Sequence, residues 1–189
     1  MIILGLTGGI ASGKSAVARI LRRQYRASTL DIDDITHQLL LPGNVLFNLY
    51  QRHFGTADRK IIADIIFNNP KERHWINDAA HPILLNYARD FLCQCQECGV
   101  RLAVIEVPLL FEAHWEHLFD QIWVVFIHHQ LQLQRLIARD KLSLEQANAR
   151  LKSQLHPNVL KRRADLTLRN DKSYKILRRK IHSALQIFF

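Results

Sequence analysis

Eight residues near the start of the chain have the types and spacing of a loop that holds phosphate groups. Residues 8–15 read GGIASGKS and fit the pattern G-x-x-x-x-G-K-[ST]. In such a loop the glycines allow a tight turn, so that successive N–H groups converge on phosphate oxygens. Lys14 supplies a cation for the β- and γ-phosphates of a nucleotide, and the Ser15 hydroxyl is a ligand for Mg²⁺. We therefore predict that ATP and Mg²⁺ bind at Gly8, Gly9, Ile10, Ala11, Ser12, Gly13, Lys14, Ser15 and Ala16.

A second group with chemical potential is the acidic cluster at residues 31–34, which reads DIDD. It follows a short apolar strand, and ligands of open α/β sheets bind at the carboxyl ends of strands. Phosphoryl transfer requires a group that accepts or orients the proton of the attacking hydroxyl. Asp31 and Asp33 are suited to that role, and the alternative role for Asp33 or Asp34 is to cap a helix that starts near Ile35. We expect one of the three carboxylates to be a cap and at least one to be functional.

The elements that must position these residues alternate between strands and helices. A strand just before the loop and an amphipathic helix just after it favour the phosphate site over an ordinary glycine-rich turn, which leaves the Lys14-Ser15 pair unexplained. Strands are predicted at 2–6, 28–30, 101–107, 121–127 and 166–168. Helices are predicted at 14–25, 35–41, 130–140, 143–155 and 172–188. The near-continuous apolar runs of the central strands indicate an α/β fold with a parallel sheet of about five strands.

The stretch 44–99 is mostly helical in its periodicity and is predicted to be a helical subdomain inserted between two strands. Proline fits the first turn of a helix, so Asn69-Pro70 and His81-Pro82 are predicted to mark helix starts. On this interpretation residues 1–189 form a single domain with a core of 1–43 and 100–189.

Composition limits the partners and the compartment. The chain has 26 Lys and Arg against 17 Asp and Glu, a net charge of +9, which favours polyanions such as nucleotides or nucleic acids. The basic runs 161–163 and 178–180 are interpreted as solvated helix faces. No apolar stretch reaches bilayer length and no export signal is recognised, so we expect a cytoplasmic protein without a membrane partner. Three close cysteines, Cys93, Cys95 and Cys98, fit reduced thiols on a helix better than a zinc site, which usually has four ligands.

Motifs in the right order along nearly the whole chain resemble those of the dephospho-CoA kinase family. They are LTGGIASGKS at 6–15, LDID at 30–33, Thr36-His37, Pro42-Gly43, Asp58-Arg59 with Ile62, Ile66 and Phe67, Asn69-Pro70, HPI at 81–83, VPLLFE at 107–112, QRL at 134–136, Arg139-Asp140, Arg150 with Gln154, and Ala164-Asp165 with Asn170. The string VPLLFE is the most specific of these. The resemblance implies a P-loop NTPase fold, a helical subdomain on the CoA side and a helical lid at about 130–160.

The resemblance also implies an activity, the phosphorylation of the ribose 3′-hydroxyl of dephospho-CoA by Mg-ATP, the last step of coenzyme A biosynthesis. Carried over to this chain, it makes Asp33 the candidate base, with Asp31 holding Mg²⁺-bound water or orienting the site. Arg139 is the candidate lid residue, and Arg135, one helical turn earlier, either joins it or lies on a solvated face. No RNA- or DNA-binding motif is recognised, and a monomer or weak homo-oligomer is expected.

Two further residues are assigned to substrate binding by the resemblance, His81 near the acceptor and Glu112 near substrate or a neighbouring arginine. Several positions depart from the family pattern. Ala11 replaces a glycine and is predicted to have an ordinary φ, Ile32 replaces a small residue, and the stretch before Asp58 is several residues short. The rival hypotheses are another small-molecule P-loop kinase, such as a nucleoside monophosphate kinase, and a nucleic-acid-binding NTP switch.

Overall fold

Five strands form one sheet whose spatial order is β2-β3-β1-β4-β5 in the computed structural model, which describes residues 1–186 apart from the side chains of residues 67 and 68. The strands are β1 (Ile2–Gly8), β2 (Ser28–Asp31), β3 (Leu102–Glu106), β4 (Gln121–Phe126) and β5 (Leu166–Arg169). β1 lies between β3 and β4 and pairs in parallel with both, and β4 pairs in parallel with β5. The predicted fold class and the number of strands are confirmed.

Helices fill the segments between and after these strands. They are α1 (Lys14–Tyr25), α2 (Ile32–Leu39), α3 (Val45–Phe54), α4 (Arg59–Asn68), α5 (Pro70–Glu97), α6 (His129–Asp140), α7 (Leu144–Lys152), α8 (Pro157–Arg163) and α9 (Tyr174–Leu185). The helix predicted at 172–188 is observed as α9, and the last two residues of that prediction lie outside the described residues.

The chain divides into two compact units. The first comprises residues 1–30 and the chain from residue 95 on, and it holds the sheet except for the last residue of β2. Its core packs α1 and α9 against the central strands, with Leu6, Ile20, Trp123 and Ile181 at most 1% exposed. Burial on this scale follows from the apolar runs of β1, β3 and β4, because each of these strands has neighbours on both sides.

The second unit comprises residues 31–94, which include α2, α3, α4 and most of α5. Aromatic rings hold its helices together: His53 stacks on Trp75 with ring centroids 3.6 Å apart, and Phe54 meets Trp75 edge to face. His53 also bonds to Glu72 across 2.7 Å. The predicted helical subdomain began at residue 44, whereas this unit also includes α2.

Two details of the sequence-based interpretation are wrong. Pro70 begins α5 as predicted, but Pro82 lies inside that helix, since the buried residues Ala80 and Leu84 continue one face of the helix past it. α2 begins at Ile32 rather than near Ile35, because Asp31 caps it. Both arginines of the basic run 161–163 are exposed, as predicted for a solvated face, and the run also makes surface contacts: Lys161 Nζ lies 4.0 Å from the centre of the Phe126 ring, and Arg163 pairs with Glu116.

Two searches of the described residues bear on membranes and metals. Within residues 1–186, no helix has the length and apolar character needed to cross a bilayer. The same part of the chain holds no cluster of three His, Cys, Asp or Glu side chains arranged to bind a metal ion. Cys95 is buried, whereas Cys93 and Cys98 are exposed.

Candidate active site

The phosphate loop connects β1 to α1 and requires glycine at two points. Gly8 has φ 142°, and a Cβ there would lie 2.1 Å from the carbonyl oxygen of Val125 on β4. Gly13 has φ 94°, and a Cβ there would lie 2.2 Å from the Nδ2 atom of Asn170. The loop therefore lies close to β4 and to the residue after β5, both of which belong to the same unit.

Ala11 adopts a left-handed conformation with φ 58°, which overturns the prediction of an ordinary φ at this position. The family pattern has glycine here, and the reason is visible in the backbone: the position needs a positive φ. Alanine reaches this region at a cost of about 1–2 kcal/mol, because its Cβ approaches the following carbonyl oxygen. Alanine in place of the glycine of the family pattern thus keeps the loop conformation and adds strain to it.

Lys14 and Ser15 open α1, where the N–H groups of a first helical turn have no partners within the helix. The Nζ atom of Lys14 donates to the Gly8 carbonyl oxygen at 2.8 Å, so the ammonium group lies over the loop. Ser15 is exposed, and the first turn of α1 carries no acidic residue to oppose the positive end of the helix dipole. This arrangement attracts an anion.

Side chains that sequence reasoning did not assign hold the rest of the loop. The Ile10 N–H donates to Gln154 Oε1 at 2.8 Å, and the Ile10 carbonyl accepts from Gln132 Nε2 at 2.8 Å. Asn170, 7% exposed, donates from Nδ2 to the Ser12 carbonyl at 2.9 Å. Gln154 and Asn170 appear in the motif strings without an assigned role, and Gln132 stands three residues before Arg135 in the same region as the QRL string, so a signal existed but was not interpreted.

The segment after β3 lies next to the carboxyl end of β1. The Thr7 hydroxyl donates to the Pro108 carbonyl oxygen at 3.3 Å and links β1 to the VPLLFE string. Glu112 in that string is half-buried, and within the described residues its Oε2 atom is buried with no hydrogen-bond partner. Glu106, the last residue of β3, is a second carboxylate here and is only 6% exposed. Sequence reasoning did not single out Glu106, because it reads as part of an apolar strand.

Arg139 lies in the last turn of α6 and is bound to a carboxylate. Its guanidinium donates twice to Asp140, at 2.7 and 3.1 Å, and Arg150 from α7 donates to the same carboxylate at 3.0 Å. The hydrogen bond from Arg139, and then the charges of both arginines, hold the pKa of Asp140 below its usual value although burial opposes the shift. Arg135, one turn earlier, donates to the Asn170 carbonyl at 3.4 Å, so it faces the loop side rather than open solvent.

A cavity of about 490 Å³ adjoins the loop within the first unit. Gly9 and Ser12 contribute to its wall from the loop, Gln132 from α6 and Gln154 from the segment just after α7. Ser12 is 1% exposed, and its hydroxyl oxygen has no hydrogen-bond partner among the described residues.

Asp31, Asp33 and His81 belong to the second unit, whereas the loop, Glu112 and Arg139 belong to the first. Asp31 is the N-cap of α2 and accepts the N–H of Asp33 at 2.9 Å, so the expected cap exists but is Asp31 rather than Asp33 or Asp34. Burial raises the pKa of Asp31, the N–H bond from Asp33 opposes the rise, and the neighbouring acidic charges add to it. Asp33 is exposed in the first turn of α2, and His81 is half-buried on α5.

A five-stranded parallel sheet with a GGIASGKS loop between β1 and α1 defines the class of P-loop kinases. The shikimate kinase of Acinetobacter baumannii shares this fold, with a TM-score of 0.60, 18% identity and coverage of 100% of this chain and 93% of that one. A protein called TT1252 from Thermus thermophilus has a TM-score of 0.84 and 28% identity, with coverage of 100% and 98%.

Sequence comparison identifies the family within that class. A model of the dephospho-CoA kinase family matches residues 2–175. The dephospho-CoA kinase of Thermosynechococcus vestitus is 37% identical over 99% of this chain and 95% of its own length, and that of Streptococcus pneumoniae is 35% identical over 97% and 94%. The chain belongs to the dephospho-CoA kinase family and is therefore an ATP-dependent phosphotransferase that acts on an alcohol group. This result favours the predicted family over the alternative of a nucleoside monophosphate kinase.

Proposed function

We propose that this chain transfers the γ-phosphoryl group of ATP to the ribose 3′-hydroxyl of dephospho-CoA, which yields coenzyme A. The observation that carries the proposal is the phosphate loop with Lys14 over it, in a chain whose family match covers residues 2–175. The relatives named above are dephospho-CoA kinases, and this chain covers almost their whole length.

Lys14 and the loop N–H groups bind the phosphates of ATP in this proposal. The transition state of phosphoryl transfer spreads negative charge over the phosphoryl oxygens, so fixed cations and N–H donors supply most of the stabilisation. Lys14 already lies over the Gly8 carbonyl, and a short movement of its flexible side chain exchanges that carbonyl for a phosphate oxygen. The residues that line the nucleotide are proposed to be 8–16.

Asp33 is the proposed base toward the ribose hydroxyl. Asp31 is less suited to that role because its carboxylate already accepts the N–H of Asp33 as a helix cap. Asp33 carries its carboxylate exposed in the first turn of α2. We assign Asp31 to orienting this turn, and His81 to the binding of dephospho-CoA from α5.

The hydroxyl of Ser15 is an oxygen donor, which is the ligand type that Mg²⁺ prefers, and Ser15 is exposed in the first turn of α1, so this residue fits the ion. Held there, the ion would neutralise part of the negative charge of the ATP phosphates. The exposed Ser15 hydroxyl is the proposed protein ligand.

Arg139 is the proposed lid residue that meets the transferring phosphoryl group, and the span 130–160 is the proposed lid. The Arg139 side chain is 56% exposed in spite of its bonds to Asp140, so it remains accessible to an anion. Arg135 is proposed to assist from the preceding turn, and Glu112 to contact substrate through its unsatisfied Oε2 atom. We further propose that the protein acts in the cytoplasm as a monomer or weak homo-oligomer, without nucleic acid or membrane partners.

The experiment that tests the proposed function measures ADP release with ATP, Mg²⁺ and either dephospho-CoA or a nucleoside monophosphate. We expect rapid turnover with dephospho-CoA and slow or no turnover with the monophosphates. The Lys14→Ala variant is the control, and we expect a loss of at least a hundredfold, the size typical for one transition-state contact of this kind. Faster turnover with a nucleoside monophosphate contradicts the assignment of the acceptor.

A further inference from the structure

The backbone of Ile10 is held from two directions by two glutamine side chains. Its N–H donates to Gln154 Oε1 at 2.8 Å, and its carbonyl oxygen accepts from Gln132 Nε2 at 2.8 Å. The backbone partner fixes which end of each amide takes part, because an N–H requires an acceptor and a carbonyl requires a donor. All four atoms belong to part-buried groups, where a lost partner is not freely replaced by water.

We propose that Gln132 and Gln154 are positioning residues of the nucleotide site, which fix the two peptide planes on either side of Ile10. The inference rests on the proposed function, in which this loop holds the phosphates of ATP. Gln132 lies on α6, and Gln154 lies just beyond the end of α7, so the pair also connects the loop to the span proposed as the lid.

Ala11 is the reason why the loop needs such support. The Ile10 carbonyl belongs to the peptide that joins Ile10 to Ala11, and the orientation of this peptide sets the φ of Ala11. That φ is 58°, a conformation that alanine adopts only when its surroundings require it. Gln132 holds the carbonyl in the orientation that this φ demands, and Gln154 holds the N–H on the other side of Ile10.

Gly9 lies against the same amide group of Gln132. A Cβ at Gly9 would lie 2.5 Å from Gln132 Nε2. A side chain at Gly9 would therefore displace the end of the flexible Gln132 side chain from its place against the loop. The nearest atom to that Cβ is thus the one that bonds to the Ile10 carbonyl.

The two positions call for opposite chemistry, which gives a sharp test. Position 154 needs an acceptor, so Gln154→Glu retains the hydrogen bond and Gln154→Leu loses it. Position 132 needs a donor, so Gln132→Glu sets a carboxylate against the Ile10 carbonyl. Gln96→Glu, at an exposed position on α5 outside the proposed lid and the phosphate loop, is the matched control for the added charge.

The primary measurement is the hydrogen exchange of the Ile10 amide, followed by NMR in the absence of nucleotide. We expect Gln154→Glu to keep the Ile10 amide protected and Gln154→Leu to accelerate its exchange roughly three- to tenfold, as the loss of one hydrogen bond implies. Because a carboxylate at 154 also repels phosphates, the Gln154→Glu variant is assessed by exchange alone. Thermal unfolding followed by circular dichroism confirms that each variant is folded.

The second measurement is steady-state kinetics with ATP. We expect Gln154→Leu and Gln132→Glu to raise KM for ATP roughly three- to tenfold with a smaller change in kcat, and Gln96→Glu to leave both unchanged. Unchanged exchange in Gln154→Leu overturns the inference, and so does faster exchange with an unchanged KM. If the wild-type protein does not phosphorylate dephospho-CoA, the proposed function fails, and exchange together with calorimetric binding of ATP then decides the inference.

Discussion

At the scale of single residues, the loop shows how one methyl group is tolerated where the family pattern has none. Ala11 keeps φ 58°, and its neighbour Ile10 is bonded on both backbone groups. A strain of about 1–2 kcal/mol is comparable with the net contribution of two hydrogen bonds, about 0.5–1.5 kcal/mol each. The strained conformation therefore persists because its neighbours hold it, not because alanine prefers it.

Replacing Ala11 with glycine should relieve this strain. Glycine adopts a positive φ freely but adds entropy to the unfolded chain, so we expect Ala11→Gly to raise the free energy of unfolding by about 0.5–1 kcal/mol. Ala16→Gly is the matched control, since Ala16 lies within α1 and the same exchange should cost about 1 kcal/mol there. Urea denaturation measures both, and a destabilised Ala11→Gly variant contradicts the account of the strain.

Asp31 gives a prediction about pH. Burial raises its pKa above the usual value of 3.8, so the folded protein holds this proton more tightly than the unfolded chain does. The stability linked to Asp31 is therefore full below the unfolded pKa and is lost as pH rises through the folded pKa. Asparagine caps a helix as well as aspartate does and carries no charge. We expect Asp31→Asn to be more stable than wild type at pH 7, with a smaller difference at pH 4.

The measurement is the free energy of unfolding in urea between pH 4 and pH 7. Asp31→Ala serves for comparison, because it removes the cap together with the charge and should be about 1 kcal/mol less stable than Asp31→Asn at every pH. A gap between Asp31→Asn and wild type that shrinks with rising pH would show that the ionised Asp31 stabilises the fold.

At the scale of elements, periodicity and motifs predicted most of what local sequence controls. The strand before the loop, the helix after it and the central strands were all found close to their predicted positions. Pro82 was interpreted wrongly, because the buried residues Ala80 and Leu84 continue α5 past it. α8 was missed although Pro157 lies in its first turn, a position that proline favours.

The site residues also fall into two groups, those that local sequence predicts and those that it does not. The loop residues and Lys14 were predictable because their spacing is local, whereas Gln132 and Asn170 reach the loop from 122 and 158 residues away along the chain. A single sequence does not show which polar side chain on a distant element will meet a given carbonyl. The positive φ of Ala11 was mispredicted for a related reason, since the residue type alone argues against it.

Asn170 joins the end of β5 to the phosphate loop, so its replacement tests a contact between two elements. Its side chain donates to the Ser12 carbonyl at 2.9 Å and is buried. Asn170→Ala leaves that carbonyl without its donor, and we expect a loss of about 1–3 kcal/mol in the free energy of unfolding and weaker binding of ATP. Asn86→Ala, at an exposed position on α5 outside the loop and the proposed lid, is the control and should lower neither. Urea denaturation and calorimetry measure the two quantities, and normal ATP affinity in a destabilised Asn170→Ala variant would limit Asn170 to a structural role.

At the scale of the whole molecule, the chain divides its chemistry between two compact units. The phosphate loop, Lys14 and Arg139 lie in the unit that holds the sheet, whereas Asp31, Asp33 and His81 lie in the unit of residues 31–94. In the proposed function this division matches the two substrates, with ATP on the first unit and dephospho-CoA on the second. The proposal therefore predicts that each substrate slows hydrogen exchange in a different part of the chain.

Hydrogen exchange with each substrate alone tests this division. We expect ATP to slow exchange at residues 8–16 and in part of 130–160, and dephospho-CoA to slow it mainly within 31–94, because a bound ligand suppresses the local opening of the segment that it contacts. In the Lys14→Ala variant the ATP pattern should disappear and the dephospho-CoA pattern should remain, since Lys14 belongs to the first unit. Protection by dephospho-CoA that is confined to the sheet-bearing unit would contradict the assignment of residues 31–94 to the acceptor.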